Sequence, residues 1–583
     1  MTWKFAAVAA WLLAAAPAWA ACQLVQAELP LRTVNQRPVG VLTINGTEVP
    51  MLIDSGAFFS FLAPSTAAQL GLKLQRMPSH IRLWGHTGPI EAKLTRVAQV
   101  GLLGASLPNI EFIVGGNELG SGIMGVLGRN FLSMADTEYD LAHGVVRLVF
   151  PKGECDKVNL AHWAGDAPVI ETELYERDDK GIHVAVRVNG VKMRALMDTG
   201  APSTVLQLKA ARRAGVKDAD LDEPRRVGGA GLGRVRSWTT QIASFELGGE
   251  KVANNRMDVD DTDVLDEEML IGLDYFLSHR IYVSRLQRKV YATWNGGQVF
   301  TRGDAVRAYD ARYAARPAEV AHDDADALAR RGEAHAARGE HERALQDLDR
   351  AIELAPQADA NWLARASLRW TMDRDDDARR DLDEALRLNP GLHEARSLRA
   401  RVRTANGDAD GARADLLALD QALPPSAHMR EAMARTYARL DMLPQALRQW
   451  GLWEDTHGGD AYLPDMLNNR CWLRMRLNVE LPQALEDCKG AIRLDRDSAA
   501  SRDSLGWVYL RLGDAAAAVK AFDAALALKP LAYSHYGRAL ARQRLGQADA
   551  MRSDLAAARR LDPEVDADLR REDLPVADDA PPP

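Results

Sequence analysis

The sequence has little of what marks several common classes of protein. Basic residues do not predominate, since the formal net charge is −8, and nucleic-acid binding usually needs a basic face. The four cysteines include no CxxC pair and have no histidine cluster beside them, so a zinc site is not expected. Neither HExxH nor GxSxG occurs, which gives metal-dependent and serine hydrolases little support. We therefore expect no cofactor, no metal and no nucleic-acid partner.

Long apolar runs are absent after the N-terminal segment. Lys4, an apolar run over residues 5–16 and an A-x-A site at residues 18–20 predict a cleaved export signal. The run is too short to cross a membrane comfortably, and no later stretch is longer. We expect a periplasmic or secreted protein without a membrane span. A lipid anchor at Cys22 is the alternative, although the usual lipoprotein signature has leucine where this chain has Trp19.

The four cysteines suit an exported protein, because disulfides form in oxidising compartments. Cys471 and Cys488 are 17 residues apart, on what we predict to be the two helices of one repeat. Cys22 is placed to reach Cys155 at the other end of the first lobe. Two disulfides can therefore form, and the alternative is four free, buried thiols.

One set of short motifs occurs twice in the N-terminal half, each time 144 positions apart. Chance could produce one such pair, but four in the same order indicate gene duplication. Each copy contains a turn, an Asp-Ser/Thr-Gly-Ala loop, an isolated glycine and an apolar-apolar-Gly triplet. The pairs are Asn45-Gly46 and Asn189-Gly190, residues 54–57 and 198–201, Gly71 and Gly215, and Leu127-Gly128 and Ile271-Gly272.

Each copy has the pattern of β-structure. Apolar residues alternate with others before each Asn-Gly pair, the period of a half-buried strand, and Asn-Gly favours a type I′ hairpin turn. A second apolar strand then leads into the Asp loop, and a short helix ended by glycine follows it. We predict strands over residues 39–44, 49–53, 182–188 and 193–197, and helices over 63–70 and 206–214.

Asp54 and Asp198 each follow a run of apolar residues. An aspartate there is either a solvated turn residue or part of a site, because desolvating its charge is costly. Two such aspartates in duplicated motifs favour a site. Neighbouring carboxylates share one proton, so the ionised one can act as general base and the protonated one as general acid. The residues predicted to support the loops are Ser55 and Thr199, through hydroxyl hydrogen bonds, and Gly56 and Gly200, through a tight turn.

Residues 52–57 and 196–201 resemble the active-site loops of retropepsin-like aspartic peptidases, and the triplets at 126–128 and 270–272 resemble that family's second signature. The resemblance implies a two-lobed β-fold and a protein that acts on polypeptides. Asp54 is then one member of the catalytic pair. Because both halves lie in one chain, a second copy is not needed. The residues that it implicates are Asp54 and Asp198 as the catalytic pair, with Leu127, Gly128, Ile271 and Gly272 packed beneath their loops.

The family covers its substrate with a hairpin flap. The spacing after each Asp places flap candidates in both lobes, and the glycine-rich segment of lobe two lacks the spacing of a phosphate-binding loop. Lobe one has Phe58-Phe59 where lobe two has Pro202-Ser203, so one lobe is expected to bind substrate more than the other. The flap candidates are Gly85, His86, Gly88, Gly229 and Gly231.

A second kind of repeat begins near residue 325, where alanine, arginine and aspartate become dense and glycine sparse. Pro356, Pro390 and Pro424 are spaced by about 34 residues, and each closes a unit of two amphipathic helices. These units resemble tetratricopeptide repeats. The resemblance implies an all-α solenoid of about seven units that binds a protein or peptide partner.

Together the patterns predict a multidomain chain, in which an all-β, two-lobed retropepsin/pepsin-like aspartic peptidase precedes an all-α tetratricopeptide-repeat solenoid. The first functional hypothesis is an endopeptidase that cleaves exported proteins, using a water activated by the Asp pair, with the solenoid recruiting substrate or a partner. The second is a non-catalytic peptide-binding scaffold that works through the repeats. The predicted domains are a signal peptide (1–20), lobe one (21–155), lobe two (156–300), a linker (301–324), the repeats (325–563) and a disordered acidic tail (564–583).

Overall fold

The chain has a β-rich N-terminal region followed by a series of helices, which confirms the predicted fold class. None of the described helices is long and apolar enough to cross a membrane. The predicted signal peptide and all but the last two residues of the predicted linker lie outside the described residues. The structure, a computed structural model, describes residues 22–78, 81–117, 119, 122–175, 180–231, 233–262, 267–296, 299–300, 323–458 and 460–577.

Lobe one is built from strands with two short helices. The strands that lead into its Asp loop bury nearly all of their apolar side chains, which is why this segment has a continuous apolar run. The elements are β1 (Gln23–Val34), β2 (Arg37–Ile44), β3 (Thr47–Ile53), β4 (Phe61–Leu62), α1 (Pro64–Gln69), β5 (Leu74–Arg76), β6 (Leu83–Gly85), β7 (Gly88–Ile90), β8 (Ala92–Leu102), β9 (Ala105–Gly115), β10 (Gly125–Leu127), α2 (Arg129–Leu132), β11 (Asp136–Asp140) and β12 (Val145–Lys152).

Lobe two repeats this order of elements, except that a single strand stands where lobe one has β5 and the β6–β7 hairpin. As predicted, the helix after each Asp loop is followed by a glycine with positive φ, 62° at Gly71 and 87° at Gly215. The elements are β13 (Ile170–Glu173), β14 (His183–Val188), β15 (Val191–Met197), β16 (Val205–Gln207), α3 (Leu208–Arg213), β17 (Arg225–Val227), β18 (Val235–Leu247), β19 (Glu250–Asp260), β20 (Met269–Ile271), α4 (Leu273–Ser278), β21 (His279–Ser284) and β22 (Lys289–Trp294).

The two lobes have the same pairing around their Asp loops. In lobe one, β3 runs parallel to β10, with Ile53 beside Leu127. In lobe two, β15 runs parallel to β20, with Met197 beside Ile271. The apolar triplets therefore lie directly against the strands that lead into the Asp loops, where their resemblance placed them.

The lobes also share a sheet. β11 pairs with β12 of its own lobe and with β21 of lobe two, so six strands run in the order β13-β22-β21-β11-β12-β1. Glu138 on β11 is fully buried and accepts hydrogen bonds from Arg147 at 2.6 Å and Arg280 at 2.7 Å. Burial alone would raise the pKa of Glu138, but a hydrogen bond from His162 and the charges of the two arginines hold it below its ordinary value. These ion pairs join the lobes at the centre of the sheet.

The C-terminal region is a stack of helix pairs. Within residues 323–458 and 460–577, fourteen helices pair as seven consecutive hairpins, in agreement with the predicted repeat number. The helices are α5 (Ala325–Ala337), α6 (His341–Leu354), α7 (Asp359–Thr371), α8 (Asp375–Leu388), α9 (His393–Ala405), α10 (Ala409–Ala422), α11 (Arg430–Arg439), α12 (Leu443–His457), α13 (Leu463–Leu477), α14 (Leu481–Leu494), α15 (Ala499–Leu512), α16 (Ala515–Leu526), α17 (Ala532–Arg544) and α18 (Ala548–Leu561).

A ladder of arginine–aspartate pairs reinforces the stack. In five of the seven described hairpins, an arginine on the first helix donates two hydrogen bonds to an aspartate on the second. Such bidentate pairs fix geometry as well as charge. The pairs are Arg331–Asp347, Arg365–Asp381, Arg399–Asp415, Arg470–Asp487 and Arg538–Asp554.

The tail differs from its prediction between residues 564 and 577. Instead of being disordered, it forms α19 (Val565–Arg571) and packs on the last repeat. Val565 and Leu569 lie four residues apart and are fully buried, and the Ala577 N–H donates to the Tyr536 hydroxyl at 3.0 Å. An acidic composition suggested disorder, but two apolar residues on one helix face are enough to cover the open end of a solenoid. Residues 578–583 lie outside the described chain.

The solenoid is docked on the β-region. Glu333 of α5 accepts hydrogen bonds from the Arg32 guanidinium at 2.6 Å and from the Thr33 N–H at 2.6 Å. Both disulfides that the sequence allows are present, one between Cys22 and Cys155 and one between Cys471 and Cys488. The first closes lobe one, and the second joins the two helices of the fifth hairpin.

Candidate active site

The two Asp loops hold each other through their hydroxyl residues. The Ser55 N–H donates to Thr199 Oγ1 at 3.0 Å, and the Thr199 N–H donates to Ser55 Oγ at 3.0 Å. Each hydroxyl in turn donates to the strand of the opposite lobe, Ser55 to the Met197 carbonyl at 2.9 Å and Thr199 to the Ile53 carbonyl at 2.7 Å. All of these groups are buried, so the cross-bonded loops fix the two aspartates opposite one another.

Asp54 and Asp198 face each other at the junction of the lobes and share a hydrogen bond. Asp54 Oδ1 also accepts from the backbone N–H groups of Gly56 at 2.8 Å and Ala57 at 2.7 Å, and Asp198 Oδ1 accepts from that of Gly200 at 2.8 Å. The approach is close enough to require glycine: a Cβ on Gly56 would lie 2.2 Å from Asp198 Cγ, and one on Gly200 would lie 2.3 Å from Asp54 Oδ2.

The surroundings raise the pKa of both carboxyl groups, but unequally. Burial and then the charge of Asp54 hold the pKa of Asp198 well above its ordinary 3.8. Burial also raises the pKa of Asp54, while the N–H groups of Ala57 and Gly56, the bond to Asp198 and the charge of Arg129 favour its ionised form. The two carboxyl groups therefore titrate as one coupled pair, in which the donors and the charge around Asp54 favour the ionised form there, the arrangement of one base and one acid in a single site.

A second symmetric network, which the sequence interpretation missed, supports these loops. In lobe one, the Gly128 N–H donates to Ser60 Oγ at 2.8 Å, and Ser60 donates to Asn130 Oδ1 at 2.7 Å. In lobe two, the Gly272 N–H donates to Thr204 Oγ1 at 3.0 Å, and Thr204 donates to Asp274 at 2.7 Å. Ser60 and Thr204, like Asn130 and Asp274, are related by the same 144-residue offset, which is the signal that would have found them.

The flap candidates of the two lobes meet each other. Gly85 and Gly88 lie on the β6–β7 hairpin of lobe one, and Gly229 and Gly231 lie in the glycine-rich loop of lobe two. The backbones approach so closely that side chains would not fit between them: a Cβ on Gly85 would lie 2.1 Å from the Ala230 carbonyl oxygen, and one on Gly231 would lie 2.6 Å from that of Gly88.

Hydrogen bonds around Thr87, at the tip of the hairpin, join the two flaps. The Thr87 N–H donates to the Ala230 carbonyl at 2.9 Å, and the Thr87 hydroxyl donates to the Gly231 carbonyl at 3.0 Å. In the opposite direction, the Gly233 N–H donates to the Thr87 carbonyl at 2.9 Å. The flaps are therefore closed onto each other in this structure.

His86, the remaining flap candidate, binds the hairpin to lobe two through its side chain. Its Nε2 lies 2.8 Å from Asp260 Oδ2 at the end of β19, and both side chains are largely buried. The flap of lobe one is therefore held by lobe two through both its backbone and a side chain. Together the two flap candidates form one joined unit to which both lobes contribute.

Family models match four parts of the chain. One described as "gag-polyprotein putative aspartyl protease" matches residues 184–279, and one described as "Aspartyl protease" matches residues 41–131. Two models of the tetratricopeptide repeat match residues 325–358 and 499–530. Parts of the chain are therefore similar to aspartyl protease domains of retropepsin-like type and to tetratricopeptide repeats. The two protease matches fall on the two lobes, one on each Asp loop.

Many solved structures, including the following two, are similar to part of this chain. The APC/C hetero-tetramer Cut9–Hcn1 is 17% identical over 43% of this chain and 49% of that one, with a TM-score of 0.32. A tetratricopeptide repeat protein from Parabacteroides merdae is 14% identical over 42% of this chain and 98% of that one, with a TM-score of 0.34. The match thus spans about half the length of the first structure. A search of curated proteins gives no match.

The repeats contact the flap of the second aspartyl protease domain. Asn117 donates to the Gly231 carbonyl at 3.2 Å, and its Oδ1 accepts from the Ala461 N–H, just before α13, at 2.9 Å. Arg234, beside the same flap, pairs with Asp465 on α13. One asparagine therefore links the first protease domain, the flap of the second and the solenoid.

Two arginines among the described residues act on Asp54. Arg129 and Arg37 both act electrostatically on Asp54, whereas the positions 144 residues later are Leu273 and Gly181. This asymmetry adds to the unequal pKa shifts of the two aspartates. The sequence interpretation did not single out either arginine, although comparing the duplicated halves position by position would have shown that both lack a counterpart.

Proposed function

We propose that this protein is an aspartic endopeptidase that hydrolyses peptide bonds of exported proteins, with the repeats recruiting the substrate or a partner. The observation that carries the proposal is the Asp54–Asp198 pair, in which each carboxyl group lies against the loop glycine of the other lobe between cross-bonded loops, and burial raises both pKa values. A pair that serves only to stabilise the fold has no need of two raised pKa values, whereas a base and an acid at one site need to differ in this way.

The chemistry follows from the protonation states. Asp54, as the carboxylate, takes a proton from a water molecule held between the pair, and the water oxygen attacks the carbonyl carbon of the peptide bond. Asp198 gives its proton to the carbonyl oxygen, so a neutral tetrahedral intermediate forms. The proton on Asp54 then passes to the amide nitrogen as the carbon–nitrogen bond breaks, while the intermediate returns a hydroxyl proton to Asp198.

The closed flaps support this use of the site. Their tips are joined by hydrogen bonds around Thr87, so an extended polypeptide can enter only after the flaps separate, and their closure then excludes water from the reacting groups. The cover is formed by both lobes of one chain, which suits a substrate that runs between them.

The position of the repeats supports their role in recruitment. The start of α13 is bonded through Asn117 to the flap of lobe two, so a polypeptide held by the solenoid lies close to the entrance of the cleft. The two disulfides, Cys22–Cys155 and Cys471–Cys488, support an oxidising compartment such as the periplasm or the exterior.

The test is cleavage of a diverse mixture of unfolded peptides from about pH 3 to 8, the range over which raised carboxyl pKa values titrate, with new termini detected by mass spectrometry. The wild type is compared with Asp54→Asn and Asp198→Asn, each checked for folding by circular dichroism. Termini that appear only with the wild type support the endopeptidase. Equal cleavage by all three would refute the mechanism, and no cleavage at any pH by a folded wild type would favour the peptide-binding scaffold.

A further inference from the structure

Arg37 is a partly buried cation without an acidic partner. It begins β2, opposite Val34 on β1, and it forms no hydrogen bond or ion pair with any residue that the structure describes. Other partly buried arginines of the same region are paired: Arg32 with Glu333 and Arg147 with Glu138. Arg37 is therefore an exception that requires a physical explanation.

Partial burial removes some of the water that would otherwise solvate the Arg37 guanidinium. Burial lowers the pKa of Arg37, and the neighbouring Tyr462 and Asp54 oppose that change. A desolvated guanidinium is costly unless an anion or several acceptors satisfy it. Asp54 already has its own hydrogen-bond donors and shares a proton with Asp198, so it offers Arg37 only a distant charge.

The contacts around Arg37 place it at the cleft, beside the repeats. Val34 packs in one apolar cluster with Ala57, of the Asp54 loop, and with Leu119. Two residues before Leu119, Asn117 accepts the bond from the Ala461 N–H. Tyr462 follows directly and has 49% of its surface exposed. The strand pair that carries Arg37 thus packs against the Asp54 loop and the segment that is bonded to the start of α13, and the charge of Arg37 interacts with Asp54 and with Tyr462 of the solenoid.

The position in lobe two that corresponds to Arg37 has no cationic side chain of its own. The counterpart of Arg37 in lobe two is Gly181, and a Cβ there would lie 2.6 Å from Arg129 Nη1. Arg129 is stacked over the ring of Phe58 at 5.4 Å, and Phe58 and Phe59 are both exposed. The two sides therefore differ, because the Arg129 guanidinium is stacked on an exposed aromatic ring, whereas Arg37 has no such described contact.

We propose that Arg37, assisted by the Tyr462 hydroxyl, is a specificity residue that binds a carboxylate of the polypeptide substrate on its side of the Asp pair. The carboxylate comes from an Asp or Glu side chain or from the C-terminus of the substrate, and both present the same pair of oxygens to the guanidinium. This inference rests on the proposed function, because it names the class of substrate that the same cleft takes.

The experiment separates binding from cleavage. Fluorescent peptides that carry Glu or Gln at each position in turn, with free or amidated C-termini, are titrated at neutral pH against the Asp54→Asn protein. The titration is repeated with the double variants Asp54→Asn/Arg37→Ala and Asp54→Asn/Tyr462→Phe, and with Asp54→Asn/Arg560→Ala as control, since Arg560 is exposed on α18 far along the chain. Cleavage of the same peptides by the proteins with native Asp54 gives kcat/KM.

We expect Glu at one position, or a free C-terminus, to strengthen binding by about 10-fold to 100-fold, as for a hydrogen-bonded charge pair. Arg37→Ala abolishes that preference and leaves binding of the Gln, amidated peptides unchanged, while Arg560→Ala changes neither. The peptides with Glu at different positions test an acidic side chain, and the peptides with free or amidated C-termini test the C-terminus, so the two sets together show which group supplies the carboxylate.

Two results would overturn the proposal. One is an equal loss of affinity for Glu and Gln peptides in Arg37→Ala, which would make the role structural. The other is an unchanged preference accompanied by a shift in the pH–rate profile, which would mean that Arg37 acts only on Asp54. Binding with the expected preference but without cleavage by the native-Asp54 protein would refute the endopeptidase and leave the carboxylate site standing.

Discussion

Alanine at either loop glycine is expected to inactivate the protein while leaving its fold intact. A Cβ at Gly56 would lie 2.2 Å from Asp198 Cγ, and one at Gly200 would lie 2.3 Å from Asp54 Oδ2. Non-bonded carbon atoms are in favourable contact only at about 3.5 Å or more, so the carboxyl group has to retreat by about 1 Å. A displacement of about 1 Å in a catalytic group lowers the rate by roughly 100-fold, which corresponds to about 2.7 kcal/mol in the activation barrier.

The assay compares kcat/KM and the melting temperature of Gly56→Ala, Gly200→Ala and the wild type on one cleaved peptide. Gly451→Ala is the matched control, because it lies inside α12 and a Cβ there meets no atom within 4 Å. We expect the control to keep full activity and to gain up to about 1 kcal/mol of stability from the removal of a helical glycine.

The reasoning is refuted if both loop variants fold with an unchanged melting temperature and keep kcat/KM within about threefold of the wild type. Such a result would mean that the Asp pair is more widely spaced than the structure shows. If instead the variants melt many degrees lower, the pH–rate profile of the folded fraction decides, because a displaced pair changes its two apparent pKa values and simple destabilisation does not.

Four further predictions concern the loops, the cover, the solenoid and pH. Thr199→Val removes two buried hydrogen bonds and is expected to lower the free energy of unfolding in urea by about 2–4 kcal/mol, with Thr199→Ser restoring most of it. Asn117→Ala removes one link between the flap and the solenoid, while the Arg234–Asp465 pair remains, and should raise KM for long peptides by roughly tenfold at an unchanged melting temperature; an unchanged KM would show that this link does not govern closure. Because burial raises the pKa of both Asp54 and Asp198 above 3.8, the ascending limb of activity should lie above about pH 4, and an optimum near about pH 2 would contradict it. Burial also raises the pKa of Asp503 to about 7, so the folded solenoid keeps a proton that the unfolded chain loses near about pH 4. Stability should therefore fall by at most about 4 kcal/mol as pH rises from about 4 to 7, and Asp503→Asn should remove that dependence in thermal melts.

Local sequence patterns predicted much of the fold. The 144-residue duplication, the Asn-Gly turns and the glycines that end the short helices were predictable, because each depends on residue types within one hairpin or one helix terminus. The seven helix pairs were predictable for the same reason, since small residues and prolines recur at a fixed spacing. The acidic tail shows the limit of composition: Val565 and Leu569 are buried against the last repeat, and only the presence of that surface makes the tail fold.

The amino-acid order alone determined the duplicated pair of aspartates, the lobes that carry them and the repeats that follow. The tertiary structure decided the surroundings of the Asp pair, because it buries both carboxyl groups against each other and brings the charge of Arg129, from beyond β10, to Asp54. It also decided that the flaps meet at Thr87 and that Asn117 contacts Ala461, a residue 344 positions away. Such contacts depend on how whole domains pack, and no periodicity or local spacing in the chain encodes the distance between them.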